Sequence, residues 1–271
     1  MKVHVQAKNS HVLKFISFLK RNHDMPFTAK RKVAEACIFS ALLYGTETWL
    51  CSNFQQLEVQ YNSVIRALLG VRKSTPNNIC YIESGFPRLV DSIMLRRASF
   101  LKNWSNKSTG DEPLHKAQSL IHNTRSPRYR IFNKYKQFQP TDIQTEVRHL
   151  SQTKSRFRYY MMLNPSLVPH GIYHSGIPDS LRIAYTRLIT SSHNLRSETG
   201  RWTRPITPHQ DRLCNCGPYV QDEEHILTRC AMTLDIRQRF SVINLSIADI
   251  FSLDPKVLGT LIKDALSKYI H

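Results

Sequence analysis

The chain has 271 residues and a formal net charge of +18, from 38 Lys/Arg against 20 Asp/Glu. Its length allows one large or two small domains with a substantial core, and no apolar run is long enough for a membrane-spanning helix. Only 9 residues are Gly, which disfavours a turn-rich β architecture and leaves a mainly α fold as the expectation.

In chain order, the first helix is predicted over 10–21, where Val12, Phe15, Ile16 and Leu19 share one face. Pro26 suits the first turn of a second, read through Val33, Cys37, Ala41 and Tyr44, with Ile38 and Leu42 beside them, to about Trp49. Its apolar arc is broad enough to be covered on more than one side. Asn53 is a candidate cap for a third helix, with Leu57, Tyr61, Val64, Ile65 and Leu68 inward and Gly70 as its stop. A short helix follows Pro76 and ends near Gly85. Another opens at Pro87, with Leu89, Ile93 and Phe100 inward and Arg96 and Arg97 near the solvent edge. Cys37, Cys51 and Cys80 read as small buried hydrophobes.

Residues 105–110 (Ser-Asn-Lys-Ser-Thr-Gly) read as a linker. Short basic helices are predicted over 115–123 and 126–138, then a longer one over 141–163. In the latter, Lys154, Arg156 and Arg158 alternate with Phe157, Tyr159 and Tyr160. Such a mixture can hold phosphates and stack bases, but an amphipathic helix with core aromatics and snorkelling Arg stems is the favoured reading. The Pro-rich 165–178 stretch is expected to be irregular. Helices over 179–192, from Cys230 to about Val242, and over 255–270 complete the pattern, the last with Leu258, Leu261, Ile262, Ala265 and Tyr269 on one side.

The densest chemistry lies in seventeen positions, where Cys214, Cys216, His225 and Cys230 fall together. Thiolates and an imidazole suit one four-coordinate Zn²⁺, and four protein ligands close the shell, as in structural rather than catalytic zinc sites. Gly217 and Pro218 provide a tight turn, and Glu223 and Glu224 sit near the start of a helix that carries His225 inward. A disulfide beside an unrelated His and Cys is the alternative. Disulfides belong to oxidising compartments, and Lys2, Lys8 and Lys14 interrupt any leader-like apolar run at the N-terminus. An intracellular protein, nuclear or cytoplasmic, is expected.

The charge is uneven. Residues 206–271 hold 7 Lys/Arg and 8 Asp/Glu, so the whole positive excess lies upstream, as expected for a protein that binds a polyanion such as RNA or DNA. Candidate phosphate contacts are Arg66, Arg72 and Lys73, Arg96 and Arg97, and Arg201, Arg204 and Arg212 beside the cysteines. Trp202 is a candidate for base stacking, or else is buried against the metal loop.

Leu43-Tyr44-Gly45-Thr46-Glu47-Thr48-Trp49, preceded by Ala36-Cys37, resembles the "LLYG-x-E-x-W" segment downstream of the palm in reverse transcriptases of LINE-type non-LTR retrotransposons. The Arg66–Val71 stretch and the 85–97 stretch keep the same order. His193-Asn194-Leu195, Gly200-Arg201-Trp202 and the Cys/His cluster resemble the C-terminal zinc knuckle of those proteins. The resemblance implies a thumb or post-thumb helical domain (1–104), a basic helical connector (105–192), and a CCHC knuckle module with flanking helices (193–271) that binds template RNA or target DNA. It also implies an upstream polymerase domain as a partner. Two departures stand out: Cys214-Asn215-Cys216 is tighter than C-x-x-C, and Ala231 stands where Pro often follows the last Cys.

Polymerase chemistry needs paired carboxylates for two metal ions, and the chain contains no Asp-Asp pair. A phosphate-cradling G-x-x-x-x-G-K loop, an H-E-x-x-H helix and the deaminase H-x-E…P-C-x-x-C pattern are missing too. A non-catalytic role is therefore expected. The other reading is a protein-interaction scaffold stabilised by zinc, with no nucleic-acid role.

Overall fold

The computed structural model describes residues 2–47, 53–106 and 138–269. The region around Trp49 and Cys51, the linker from 107, the predicted helix over 115–123 and nearly all of that over 126–138 lie outside them. The fold is mainly helical. Among the described residues the only extended pairing is a single bridge between Leu213 and Val220.

The first helix, α1 (Lys2–Arg21), begins well before the predicted position 10. It buries Val12 and Phe15 and packs on α3 (Gln55–Leu69). Between them, α2 (Phe27–Val33) runs into a π-helical turn (Ala34–Phe39) and a final turn (Ser40–Leu42). The buried positions fall at Ala34, Ile38 and Leu42, one position along from the expected stripe and again at helical spacing, while Cys37 and Tyr44 face outward. This corrects the expected stripe and the expected burial of Cys37. Within the core, the ring of Phe39 lies 4.4 Å from Tyr61 and meets Phe86 edge-on at 4.8 Å, a favourable geometry for aromatic pairs.

Helix α3 stops at Gly70, whose φ of +75° lies in the left-handed region that glycine enters without penalty. The carbonyls freed at this end are answered by a distant side chain. Arg182 Nη1 and Nη2 donate to the oxygens of Leu69 and Leu68, at 3.2 Å each. Asp179 balances the charge, accepting from Arg182 Nε at 2.7 Å and from Lys30 Nζ at 2.8 Å. Lys30 and Arg182 are both about 1% exposed. Buried cations are tolerated only when paired and hydrogen-bonded in this way.

After α4 (Asn77–Ser84) comes α5 (Leu89–Asn106). Leu89 and Ile93 face inward as predicted, but Phe100 is 43% exposed and Arg97 is buried. Arg97 Nε donates to the carbonyl of Thr46 at 3.1 Å, so this arginine closes the turn after α2 rather than facing solvent.

The long helix expected over 141–163 is two helices, α6 (Ile143–Thr153) and α7 (Ser155–Leu163). Lys154 separates them in an extended conformation. Asp142 caps α6 by accepting from the backbone N–H groups of Gln144 and Thr145. On α7, Phe157 and Tyr160 are core residues, in line with the amphipathic reading. Tyr160 and Asn164 Nδ2 (2.9 Å) both donate to Oε1 of Glu83 on α4. Burial pushes the Glu83 carboxyl up to about 7, more than the hydrogen bonds from Tyr160, Tyr173 and Asn164 pull it down.

Helix α8 (Asp179–Ile189) packs along α13 (Pro255–Ser267). A Cβ on Gly259 would lie 2.9 Å from Leu181 Cβ, so the absence of a side chain there sets how closely the two helices approach. Leu258, Leu261, Ile262, Ala265 and Tyr269 are buried as predicted. Short helices α9 (Arg196–Thr199), α10 (Glu223–Thr228), α11 (Leu234–Arg239) and α12 (Ile247–Phe251) fill the remainder. A single cluster of buried side chains extends from Val12 to Tyr269.

Candidate metal centre

The site is made of a tight loop followed by a helix start. Leu213 and Val220 pair across the loop, and the Cys214 N–H donates to the Tyr219 carbonyl at 2.7 Å. Gly217 and Pro218 turn the chain between them, so both Cys214 and Cys216 sit on the loop. Asp222 then caps α10, its carboxylate accepting from the His225 N–H at 2.8 Å. Acidic residues in that first turn complement the helix dipole. Beyond the helix, the Cys230 N–H donates back to the His225 carbonyl at 2.8 Å, which folds the last cysteine toward the loop.

These local rules bring four side chains to one point. Cys214 Sγ and Cys230 Sγ are 3.6 Å apart, and Cys216 Sγ is 3.1 Å from His225 Nε2. All four ligand atoms lie within 4.8 Å of one another, and the cluster could hold a metal ion. A disulfide would need sulfurs about 2 Å apart, so the thiols are unpaired. Burial lowers the affinity of the His225 ring for a second proton, which favours the neutral, lone-pair-bearing form that a metal requires. At Cys214 burial opposes ionisation, but hydrogen bonds from Cys216, Cys230 and Gln221 outweigh it and hold the thiol below its ordinary value.

Around the ligands stands a layer of supporting groups. Tyr269 Oη is 3.0 Å from Cys230 Sγ, and Gln221 Nε2 is 3.8 Å from Cys214 Sγ. Arg237 donates to the carbonyls of Thr228 (2.6 Å) and Cys230 (2.8 Å). The Tyr219 ring stacks on His225, centroids 5.5 Å apart. Glu224, the nearest candidate for a water-activating base, is paired instead with Arg229 at 2.5 Å.

The motifs flanking the cysteines have structural duties. His193 Nδ1 accepts from the Leu195 N–H at 3.2 Å, which leaves Nε2 to carry the proton toward Glu223 Oε1 at 2.7 Å. Ser191 Oγ adds a bond to the same oxygen at 3.2 Å. Glu223 is buried, yet the neighbouring His193 and these bonds overcome desolvation and hold its carboxyl below the usual range. The start of α10 is thus fixed to the chain leaving α8. Arg212 is 7% exposed. Its guanidinium donates to the Thr207 carbonyl through Nε (2.9 Å) and Nη2 (2.7 Å), and to the Ser197 carbonyl through Nη1 (2.6 Å). A Cβ on Gly200 would meet Arg212 at 2.7 Å, which explains the small residue before Arg201-Trp202.

The candidate phosphate contacts therefore divide. Arg97 and Arg212 are inside, bound to backbone carbonyls, and are withdrawn from any surface role. Arg66 is committed to the following turn, donating to the Thr75 carbonyl and to Asn77 Oδ1. Arg201 pairs with Glu198 at 3.1 Å. Lys73, Arg96 and Arg204 are exposed. Arg72, half-buried, bonds Asn194 Oδ1, and its guanidinium carbon lies 4.3 Å from the centre of the Trp202 ring. Trp202 is 46% exposed, not packed inside the metal loop.

Several contributors escaped sequence reasoning, among them Gln221, Tyr219 and Asp222. Tyr269 carried only a core-face signal from its helix. Arg237 carried none, since its partners are carbonyls. Comparison with protein-family models, curated proteins and solved structures returns no match.

Proposed function

We propose that this chain is a non-catalytic nucleic-acid-binding module, a C-terminal portion of a LINE-type reverse transcriptase, built from basic helices and a structural zinc knuckle. The observation that carries the reading is the convergence of four side chains at 214, 216, 225 and 230 beside a chain whose positive excess lies upstream of residue 206. In a tetrahedral shell with Zn–S near 2.3 Å, sulfurs stand about 3.8 Å apart, close to the 3.6 Å between Cys214 and Cys230. Four protein donors leave no open position for water or substrate, so the metal's role is to hold the loop, α10 and the chain after it together.

Binding would proceed through cations that neutralise phosphates and release counterions, so affinity should fall steeply with salt. Fluorescence anisotropy with a labelled single-stranded oligonucleotide, from low to moderate salt, tests this. An isotherm that hardly moves with salt would remove the nucleic-acid reading. Primer extension by the purified chain should stay at background, and incorporation above it would overturn the non-catalytic assignment.

A protein-docking role is the second reading. It is favoured by four large hydrophobic residues near the knuckle that remain in water: Trp202, Ile206, Leu213 and Tyr219. Pull-downs with and without nuclease separate the two, because a protein contact survives digestion of nucleic acid.

A further inference from the structure

A cavity of about 250 Å³ opens where the end of α3 meets the chain between α8 and α9, lined by Arg72, Arg187, Ser192, Asn194 and Tyr269 among others. It lies outside the four-ligand cluster. Its polar lining is cationic and incompletely answered. Arg72 Nη1 is buried with no hydrogen-bond partner, although the other terminal nitrogen reaches Asn194. Arg187 spends its Nε on the Gly70 carbonyl at 2.8 Å and is itself exposed. Among the described residues, neither arginine has a carboxylate within ion-pair distance.

The neighbourhood deepens the imbalance. The acid whose charge favours the protonated form of Arg72 is Glu198, and that carboxylate is already held by Arg156 at 2.5 Å and Arg201 at 3.1 Å. Burial and the adjacent Arg187 charge both make Arg72 a weaker proton holder than usual. Two like charges brought together around an unfilled space cost energy unless an anion joins them. A guanidinium nitrogen left without a partner offers a charge-assisted hydrogen bond to a phosphate oxygen.

We propose that this cavity is a seat for one phosphate group, mono- or diester, gripped by Arg72 and Arg187 and bordered by the Ser192 and Asn194 side chains. When the phosphate belongs to a nucleic-acid strand, the Trp202 ring, with Arg72 over one face, takes the neighbouring base by stacking. That strand assignment rests on the nucleic-acid reading above, while the anion site itself does not.

The test uses the full zinc-loaded chain, with Arg187→Gln as the first variant, since Arg187 is exposed, and Arg72→Gln as the second. Lys256→Gln, a solvent-exposed change on α13, is the control. Calorimetry with inorganic phosphate and anisotropy with a single-stranded oligonucleotide are run on each. Zinc content and melting temperature report whether the fold is intact. Each arginine variant should weaken phosphate binding by about tenfold and lower the oligonucleotide salt slope by about one, with the control unchanged. Phosphate binding that depends on Arg187, in a chain that ignores oligonucleotides, keeps the seat and discards the strand. Salt-sensitive oligonucleotide binding that both variants match at wild-type strength, with no phosphate heat, sinks the seat and leaves the broader reading standing.

Discussion

Tyr269, beyond the end of α13, sets its hydroxyl 3.0 Å from the Sγ of Cys230. A hydrogen bond from this phenol stabilises a thiolate, and it links the far end of the described chain to the cysteine cluster. Supporting groups of this kind typically change metal affinity ten- to a hundredfold. Tyr269→Phe keeps the ring in its buried place and removes only the hydroxyl. We expect zinc to be lost to a competing chelator at a concentration at least about tenfold lower than for the parent chain. Equal retention in both proteins would show that the hydroxyl does not support the ligand.

Metal stoichiometry checks the ligand set directly. The purified chain should carry about one zinc ion, and replacing Cys214 and His225 together by Ala should leave none. Chelation of the parent should also loosen α10 and the 230–245 region, read by hydrogen exchange, while α3 keeps its protection. A zinc content that survives the double substitution would refute the assignment.

Gly200 and Arg212 provide a steric test. Gly200 has ordinary right-handed helical dihedrals, so alanine there meets no backbone strain, only the Arg212 side chain 2.7 Å away. That side chain is fixed by three bonds to carbonyls and has little room to yield. Gly200→Ala should cost roughly 1–3 kcal/mol in denaturant unfolding. In an Arg212→Ala background the same change should be nearly free, and this non-additivity is the signature of a shared contact. Additive losses would mean that the two positions do not touch.

Glu83 gives a pH prediction. Its carboxyl titrates at about 7 in the folded chain against an ordinary value of 4.5, because burial opposes its charge. The folded state therefore binds this proton more tightly than the unfolded one. Stability from this residue is greatest below about 4.5, falls as pH rises toward 7, and levels off above. Glu83→Gln should be as stable as the parent near pH 4.5 and more stable at pH 8, by up to roughly 3 kcal/mol. Because the cysteine cluster also responds to pH, the difference between the two proteins is the quantity to follow in urea unfolding at stepped pH. Parallel profiles would show that Glu83 keeps an ordinary proton affinity.

Much of the architecture was readable from local rules. Gly70 as a stop, the inward face of 258–269, and the clustering of Cys214, Cys216, His225 and Cys230 follow from turn chemistry, helical spacing and ligand type. Where those rules misled, the deciding partner lay far along the chain. Arg97, Arg182 and Arg212 look solvated in sequence, yet their guanidinium groups serve carbonyls of Thr46, of Leu68 and Leu69, and of Ser197 and Thr207. A helix stop such as Gly70 marks carbonyls that need donors, but nothing in the sequence says which distant arginine supplies them. The break at Lys154 had no Gly or Pro to announce it. The short helix α12 does carry a local signal, since Ser246 and Asp249 form a capping box at its start.

The reach of residue 269 into the cysteine cluster has a consequence for biogenesis. Chains leave the ribosome from the N-terminus onward, and α1 and α3 can pair early. The surroundings of Cys230 cannot be completed until position 269 has emerged, nor can α8 gain its cover from α13. Closure of this end is therefore a late event, and a nascent chain stalled short of that tyrosine would leave Cys230, buried in the finished fold, without its cover.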